Sequence, residues 1–171
     1  AALLPKSLPN ARTTSFQFDK GIPPTMPATR EDLFARLNAL GIKTKTADHA
    51  PVYTVEEARA LRGEIEGGHC KNLFLKDDKG QLWLIVCLEE SQIDLKAAPA
   101  KIGSRRLSFG KPDLLMEVMG VEPGSVTPFG LINDTTNRVN VILEAQMMQH
   151  EMLNYHPLQN TATTTIAAND L

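Results

Sequence analysis

The chain has 171 residues, 42% of them hydrophobic, with a net charge of -2 and a pI of about 6.1. That describes one domain of ordinary size with apolar material for a real core. It excludes a globally basic nucleic-acid coat, so any nucleic-acid contact has to come from a local patch. No apolar run nears the roughly 18 residues of a membrane span. Cys70 and Cys87 are the two cysteines, both in apolar runs. They read as small hydrophobes in a reducing cytoplasm rather than as a disulfide scaffold.

Residues 1–25 carry Pro5, Pro9, Pro23 and Pro24 and show neither helical nor strand periodicity. Met26 before Pro27-Ala28-Thr29 reads as a natural start. Residues 1–26 are therefore expected to be a poorly structured extra segment, and 27–171 a single domain. A basic start followed by an apolar secretory core is lacking. An organellar leader is the alternative, because residues 1–15 hold Lys6 and Arg12 and no acid.

Thr29-Arg30-Glu31-Asp32 predicts a helix start, with Thr29 as cap and acids in the first turn. Leu33, Leu37 and Leu40 recur at helical spacing, and Gly41 ends the helix. Residues 42–48 alternate weakly, as a strand would. Thr54-Val55-Glu56-Glu57 is a capping box opening a short helix to about Leu61. Residues 70–77 and 82–88 predict a hairpin around the turn Asp77-Asp78-Lys79-Gly80. Its second strand, Leu-Trp-Leu-Ile-Val-Cys-Leu, is apolar on both faces and predicts a central, doubly covered strand. Residues 91–102 predict a short helix interrupted near Pro99.

Lys111-Pro112-Asp113 starts another helix, with proline where its missing N–H does no harm. Leu114, Leu115, Val118 and Met119 are expected to face inward, and Gly120 to stop it. A loop over 123–133 follows, then a strand over 139–143 and a helical turn or two over 144–150. Residues 152–155 and 161–166 predict final strands. The end, Ala168-Asn169-Asp170-Leu171, resembles a helix cap with nothing after it, so a terminal helix is expected beyond it. Helices and strands mix without regular alternation or repeat, which predicts a mixed α+β sheet with surrounding helices.

Familiar catalytic signatures are absent from the sequence. His69 and Cys70 are strand neighbours on opposite faces and make no zinc site. His150-Glu151 lacks a second histidine four residues on. No phosphate-binding glycine loop and no G-x-S-x-G elbow occurs.

What remains is subtler. Lys71 enters a strand beside Gly67-Gly68; most such lysines are simply solvated, and the functional alternative is a cation at a cleft rim. Lys76 and Asp77 read as a solvated strand end. Gly124-Ser125-Val126-Thr127-Pro128 is a glycine-proline turn in any case. Its glycine would also admit a ligand close to the backbone, and its N–H groups could meet a developing oxyanion. His156 before Pro157 is held extended; a lone histidine there is more often a surface or satisfied core residue. From Leu95 to Pro112 there are five bases (Lys96, Lys101, Arg105, Arg106, Lys111) and no acid. Blandly this is a solvated face, and functionally a phosphate-contacting surface.

Taken together, Lys71-Asn72-Leu73, the Gly124-to-Pro128 loop and His156-Pro157-Leu158 resemble the YbaK/prolyl-tRNA synthetase editing-domain family, over residues 27–171. The resemblance implies a mixed α/β fold with a central, partly antiparallel sheet. It implies hydrolysis of a mischarged aminoacyl-tRNA in trans, Ala-tRNA(Pro) above all, as in the free-standing members. Lys71 and Gly124 would then be catalytic, the lysine anchoring the terminal nucleotide or ester and the loop polarising the carbonyl. Asn72, Ser125, Pro128 and His156 would line the pocket, and Lys101, Arg105 and Arg106 would contact the acceptor stem. Asn72 is the form associated with alanine editing. Such enzymes are thought to enlist the 2'-hydroxyl of the tRNA, which fits the lack of a triad. No metal or organic cofactor is implied. The partner is the tRNA(Pro) acceptor end, with prolyl-tRNA synthetase or an elongation factor as transient ones. Ser- or Cys-tRNA as substrate, or a non-catalytic binding module, are the alternatives.

Overall fold

The computed structural model describes residues 26–51, 60 and 65–171. The expected extra segment at 1–25 and the helix from Thr54 to about Leu61 lie outside these residues, apart from Ala60.

Helix α1 (Arg30–Ala39) starts as its sequence dictates. The Thr29 side chain accepts from Asp32 N, and Asp32 accepts from Thr29 N at 2.8 Å, a reciprocal capping box. Leu33 and Leu37 are buried beneath it. Strand β1 (Thr44–Asp48) follows. The predicted hairpin is β2 (Gly68–Asp77) with β3 (Leu82–Leu88), paired from Cys70–Leu88 to Lys76–Leu82. Every residue of β3 is buried, as its two-sided apolar run requires.

Four details differ from expectation. Asp77, expected at a solvated strand end, is buried on backbone donors. Pro99 does not interrupt a helix over 91–102 but stands in the first turn of a shorter one, α2 (Ala98–Ile102), where no N–H is needed. Leu107–Phe109 forms a short strand, β4, too brief to leave a period in the sequence. The 123–133 loop ends in a 3-10 turn (Pro128–Asn133), capped where Thr127 Oγ1 accepts from Phe129 N. The helix after Lys111 is α3 (Pro112–Met119) and stops at Gly120 in a left-handed conformation. Strands β5 (Val139–Leu143), β6 (Met152–Tyr155) and β7 (Ala162–Ala167) complete the sheet.

The described strands form one mixed seven-stranded sheet in the order β1-β7-β6-β2-β3-β5, with β4 also on β2. β6 on β2 and β5 on β3 are parallel, and the other pairs are antiparallel. One core joins α1 and α3 to the even-numbered residues of the hairpin, Phe74, Leu82, Leu84, Val86 and Leu88. A smaller one joins the odd-numbered Leu75, Trp83 and Ile85 to α2 and Leu107. Strand alternation thus feeds two cores from one hairpin. Among the described residues no helix is long and apolar enough to cross a membrane.

Candidate functional site

Strand β2 is longer than either neighbour on its left edge. β6 pairs with Gly68 and His69, and β4 with Leu75–Asp77. Between them the sheet is split. On the other edge, His69 O accepts from Glu89 N and Asp77 N donates to Gln81 O. This phase turns the backbone groups of odd-numbered residues toward β3. Even-numbered residues therefore point their N–H and C=O into the split. Phe74 O accepts there from Gly110 N at 2.9 Å, whereas the Asn72 N–H has no partner among the described residues.

The 124–133 segment closes over this split. Asn72 Nδ2 donates to Val126 O at 2.9 Å, which fixes the amide orientation. Among the described residues Asn72 Oδ1 is then a buried acceptor without a donor, a costly state for a group that binds nothing. Gly124 holds φ at +90°, with open space around it, so the glycine serves the backbone rather than clearance. Ser125 is buried, and Pro128 is buried at the start of the 3-10 turn. Phe129 meets Tyr155 edge-on at 5.9 Å, locking the loop to β6.

His156 follows β6 directly. The parallel pairing of β6 with β2 ends at His69–Asn154, two residues before His156. Its Nδ1 donates to Ala162 O at 2.9 Å, which leaves Nε2 as an acceptor. Burial holds this imidazole below its ordinary pKa, against the pull of the Ala162 carbonyl. The His49 ring lies 6.4 Å away, with its Nδ1 on Ala50 O and its Nε2 on Thr163 Oγ1. His49 was not singled out in the sequence, and Thr163 only as part of the 160–164 run that leads on from His156-Pro157 in the family resemblance. No spacing could reveal them, because β1–β7 pairing alone brings them together.

The structure thus joins Asn72 to the Gly124 loop and ties that loop to β6, at whose end His156 stands. Lys71 stands apart from them. As Asn72's strand neighbour it points to the opposite face, cross-strand from Cys87, and its ammonium donates to Ser91 O. Burial pushes the Cys87 thiol up to about 11, so it stays protonated. Lys101, Arg105 and Arg106 are exposed along the connection from α2 to β4. The Arg105 backbone N–H is anchored on buried Asp77 at 3.3 Å, while its guanidinium sits a loose 3.9 Å from Asp78. Among the described residues no group of three or more His, Cys, Asp or Glu side chains converges to hold a metal ion.

A split sheet edge, a glycine loop bonded to Asn72 and a histidine at the end of β6 thus sit on a mixed α/β scaffold. The chain belongs to the aminoacyl-tRNA editing domain family, whose profile matches residues 49–171. It is 37% identical over 143 residues to the prolyl-tRNA editing protein ProX of Acetoanaerobium sticklandii, covering 83% of this chain and 87% of that protein. It is 34% identical to the prolyl-tRNA synthetase associated domain-containing protein 1 of Mus musculus, covering 82% and 86%. The fold matches a solved structure described as a candidate trans-editing enzyme for prolyl tRNA synthetase. That match has a TM-score of 0.66 at 19% identity, over 82% of this chain and 87% of that one.

Proposed function

We propose that this protein is a deacylase that hydrolyses mischarged Ala-tRNA(Pro) in trans. The observation that carries the reading is Asn72. In a chain of the editing family, its N–H and its buried Oδ1, neither with a partner among the described residues, face a split closed by a glycine loop. An aminoacyl ester presents what these atoms lack. Its carbonyl oxygen, and the oxyanion that develops there, accepts from a backbone N–H. Its α-ammonium donates to Oδ1.

The acyl group is already activated, so positioning and oxyanion stabilisation suffice without a nucleophilic side chain. A water, assisted by the 2'-hydroxyl of the terminal ribose, adds to the carbonyl carbon. The ester C–O bond breaks, its proton returns to the 3' oxygen, and free alanine and tRNA leave. His156 Nε2 accepts a hydrogen bond from the attacking water or the 2'-hydroxyl. The Gly124 loop, with Ser125 and Pro128, shapes a pocket that admits alanine and excludes the bulkier proline by size. Lys71, on the opposite face, serves the polar end of the terminal nucleotide once its ammonium leaves Ser91 O. Lys101, Arg105 and Arg106 hold the acceptor stem.

The test is release of labelled alanine from Ala-tRNA(Pro), with Pro-tRNA(Pro), Ser-tRNA(Pro) and Ala-tRNA(Ala) in parallel. Alanine is expected to be lost from tRNA(Pro) selectively. Hydrolysis of none of them would overturn the deacylase reading and leave a tRNA-binding module.

A further inference from the structure

The two ends of the sheet are built differently. β1 carries Lys45 and an exposed Asp48, charges of the kind that keep an edge strand from pairing with another chain. β5, Val-Asn-Val-Ile-Leu, has no charge, no proline and no bulge, and it closes the other end of the strand order. Val141 and Leu143 are each 39% exposed. The parallel ladder to β3 continues into a bond from Glu144 N to Val86 O. That phase turns the backbone groups of Asn140 and Ile142 inward and those of Val139, Val141 and Leu143 outward. Asp134 Oδ2 already takes the Val139 N–H at 2.8 Å. Among the described residues, the N–H and C=O groups of Val141 and Leu143 and the Val139 C=O have no strand opposite them.

We propose that β5 pairs antiparallel with β5 of a second copy, about a twofold axis through Val141. The register is self-complementary. Val141 faces Val141, with both N–H···O=C bonds exchanged. Each Leu143 N–H meets the partner's Val139 C=O, and the partner's Leu143 C=O takes the Val139 N–H in place of Asp134 Oδ2, while Asp134 Oδ1 keeps the Arg138 N–H. The flanks match by charge: Arg138 of each copy stands opposite Glu144 of the other. The Arg138 guanidinium is exposed and donates to Glu117 at the surface, and Glu144 spends one carboxylate oxygen on Leu88 N. An isologous contact of this kind closes after two copies and does not propagate. The result is one continuous sheet through the dimer.

Sedimentation equilibrium of the full chain, over micromolar to high-micromolar concentration, tests this with Val141→Lys and Val141→Glu, each checked for an unchanged circular dichroism spectrum. Wild type is expected to dimerise. Each variant alone sets like charges face to face across the axis and is expected to weaken dimerisation at least about tenfold. Mixing the two variants is expected to restore a dimer, which a generally damaged fold would not do. A monomeric wild type would overturn the proposal, as would a dimer indifferent to both substitutions or single variants that mixing does not rescue.

Discussion

Asn72 shows how one side chain can be read from what it lacks. Its Nδ2 is committed to Val126 O, and its Oδ1 has no donor among the described residues. Asn72→Ala removes the unsatisfied Oδ1 together with the bond to Val126 O, so it is expected to change global stability little, yet to lower kcat/KM for Ala-tRNA(Pro) roughly tenfold to a hundredfold. Single-turnover deacylation alongside thermal melts checks both halves. His156 makes a prediction in pH. Burial lowers its pKa below the ordinary 6.5, so the folded chain binds fewer protons here than the unfolded one. The neutral imidazole is retained at neutral pH. As pH falls below 6.5, protonation costs stability and converts the Nε2 acceptor into a donor. The acid limb of kcat/KM is therefore expected below 6.5, and absent in His156→Gln, which has nothing to titrate. A pH–rate series on both proteins decides it.

At the scale of elements, the β2–β3 turn carries more than a hairpin. Asp77 is buried and accepts from the backbone N–H groups of Lys79, Gln81 and Arg105 and from the Trp83 indole. Burial alone would raise this carboxyl, but those donors together hold it below its ordinary value. Asp77→Ala would strand three backbone donors and unfasten the basic segment. A loss of about 2 kcal/mol in unfolding free energy is expected by urea titration. β4 depends on a second local feature. A Cβ on Gly110 would sit 2.4 Å from the Phe74 ring, so any other residue here forces that ring or the segment to shift. The hairpin, both longer helices and the β5 to β7 strands were legible in sequence, because each is long or periodic enough to carry its own signal. β4 and the role of Pro99 were not, since three residues and one proline are defined by what lies beside them.

At the scale of the whole molecule, the acid-free stretch from Leu95 to Pro112 runs from α2 past β4 to the start of α3. Gly110 brings it to the lip of the split. If this surface holds phosphates, replacing Lys101, Arg105 and Arg106 by alanine weakens tRNA binding and flattens its salt dependence by roughly one unit of slope for each cation removed. Pocket chemistry on bound substrate is then untouched. Filter binding across a salt series is the measurement, and an unchanged slope would move the acceptor stem elsewhere.

The residues around the opening came to notice as motifs, Lys71-Asn72-Leu73, Gly124 to Pro128 and His156-Pro157, because lysine, glycine and proline constrain backbone and charge locally. Read as a string, they predict one cluster. Strand alternation sends Lys71 and Asn72 to opposite faces, so the cluster divides, with Asn72 and the loop on one side and Lys71 on the other. Composition and periodicity were enough for the fold class, the doubly buried β3 and the helix ends, since those follow from short-range sterics and from where apolar side chains recur. The gap in β2, the orphaned Oδ1 and the approach of His49 to His156 depend on pairings between segments far apart in the chain. They exist only once the sheet has closed.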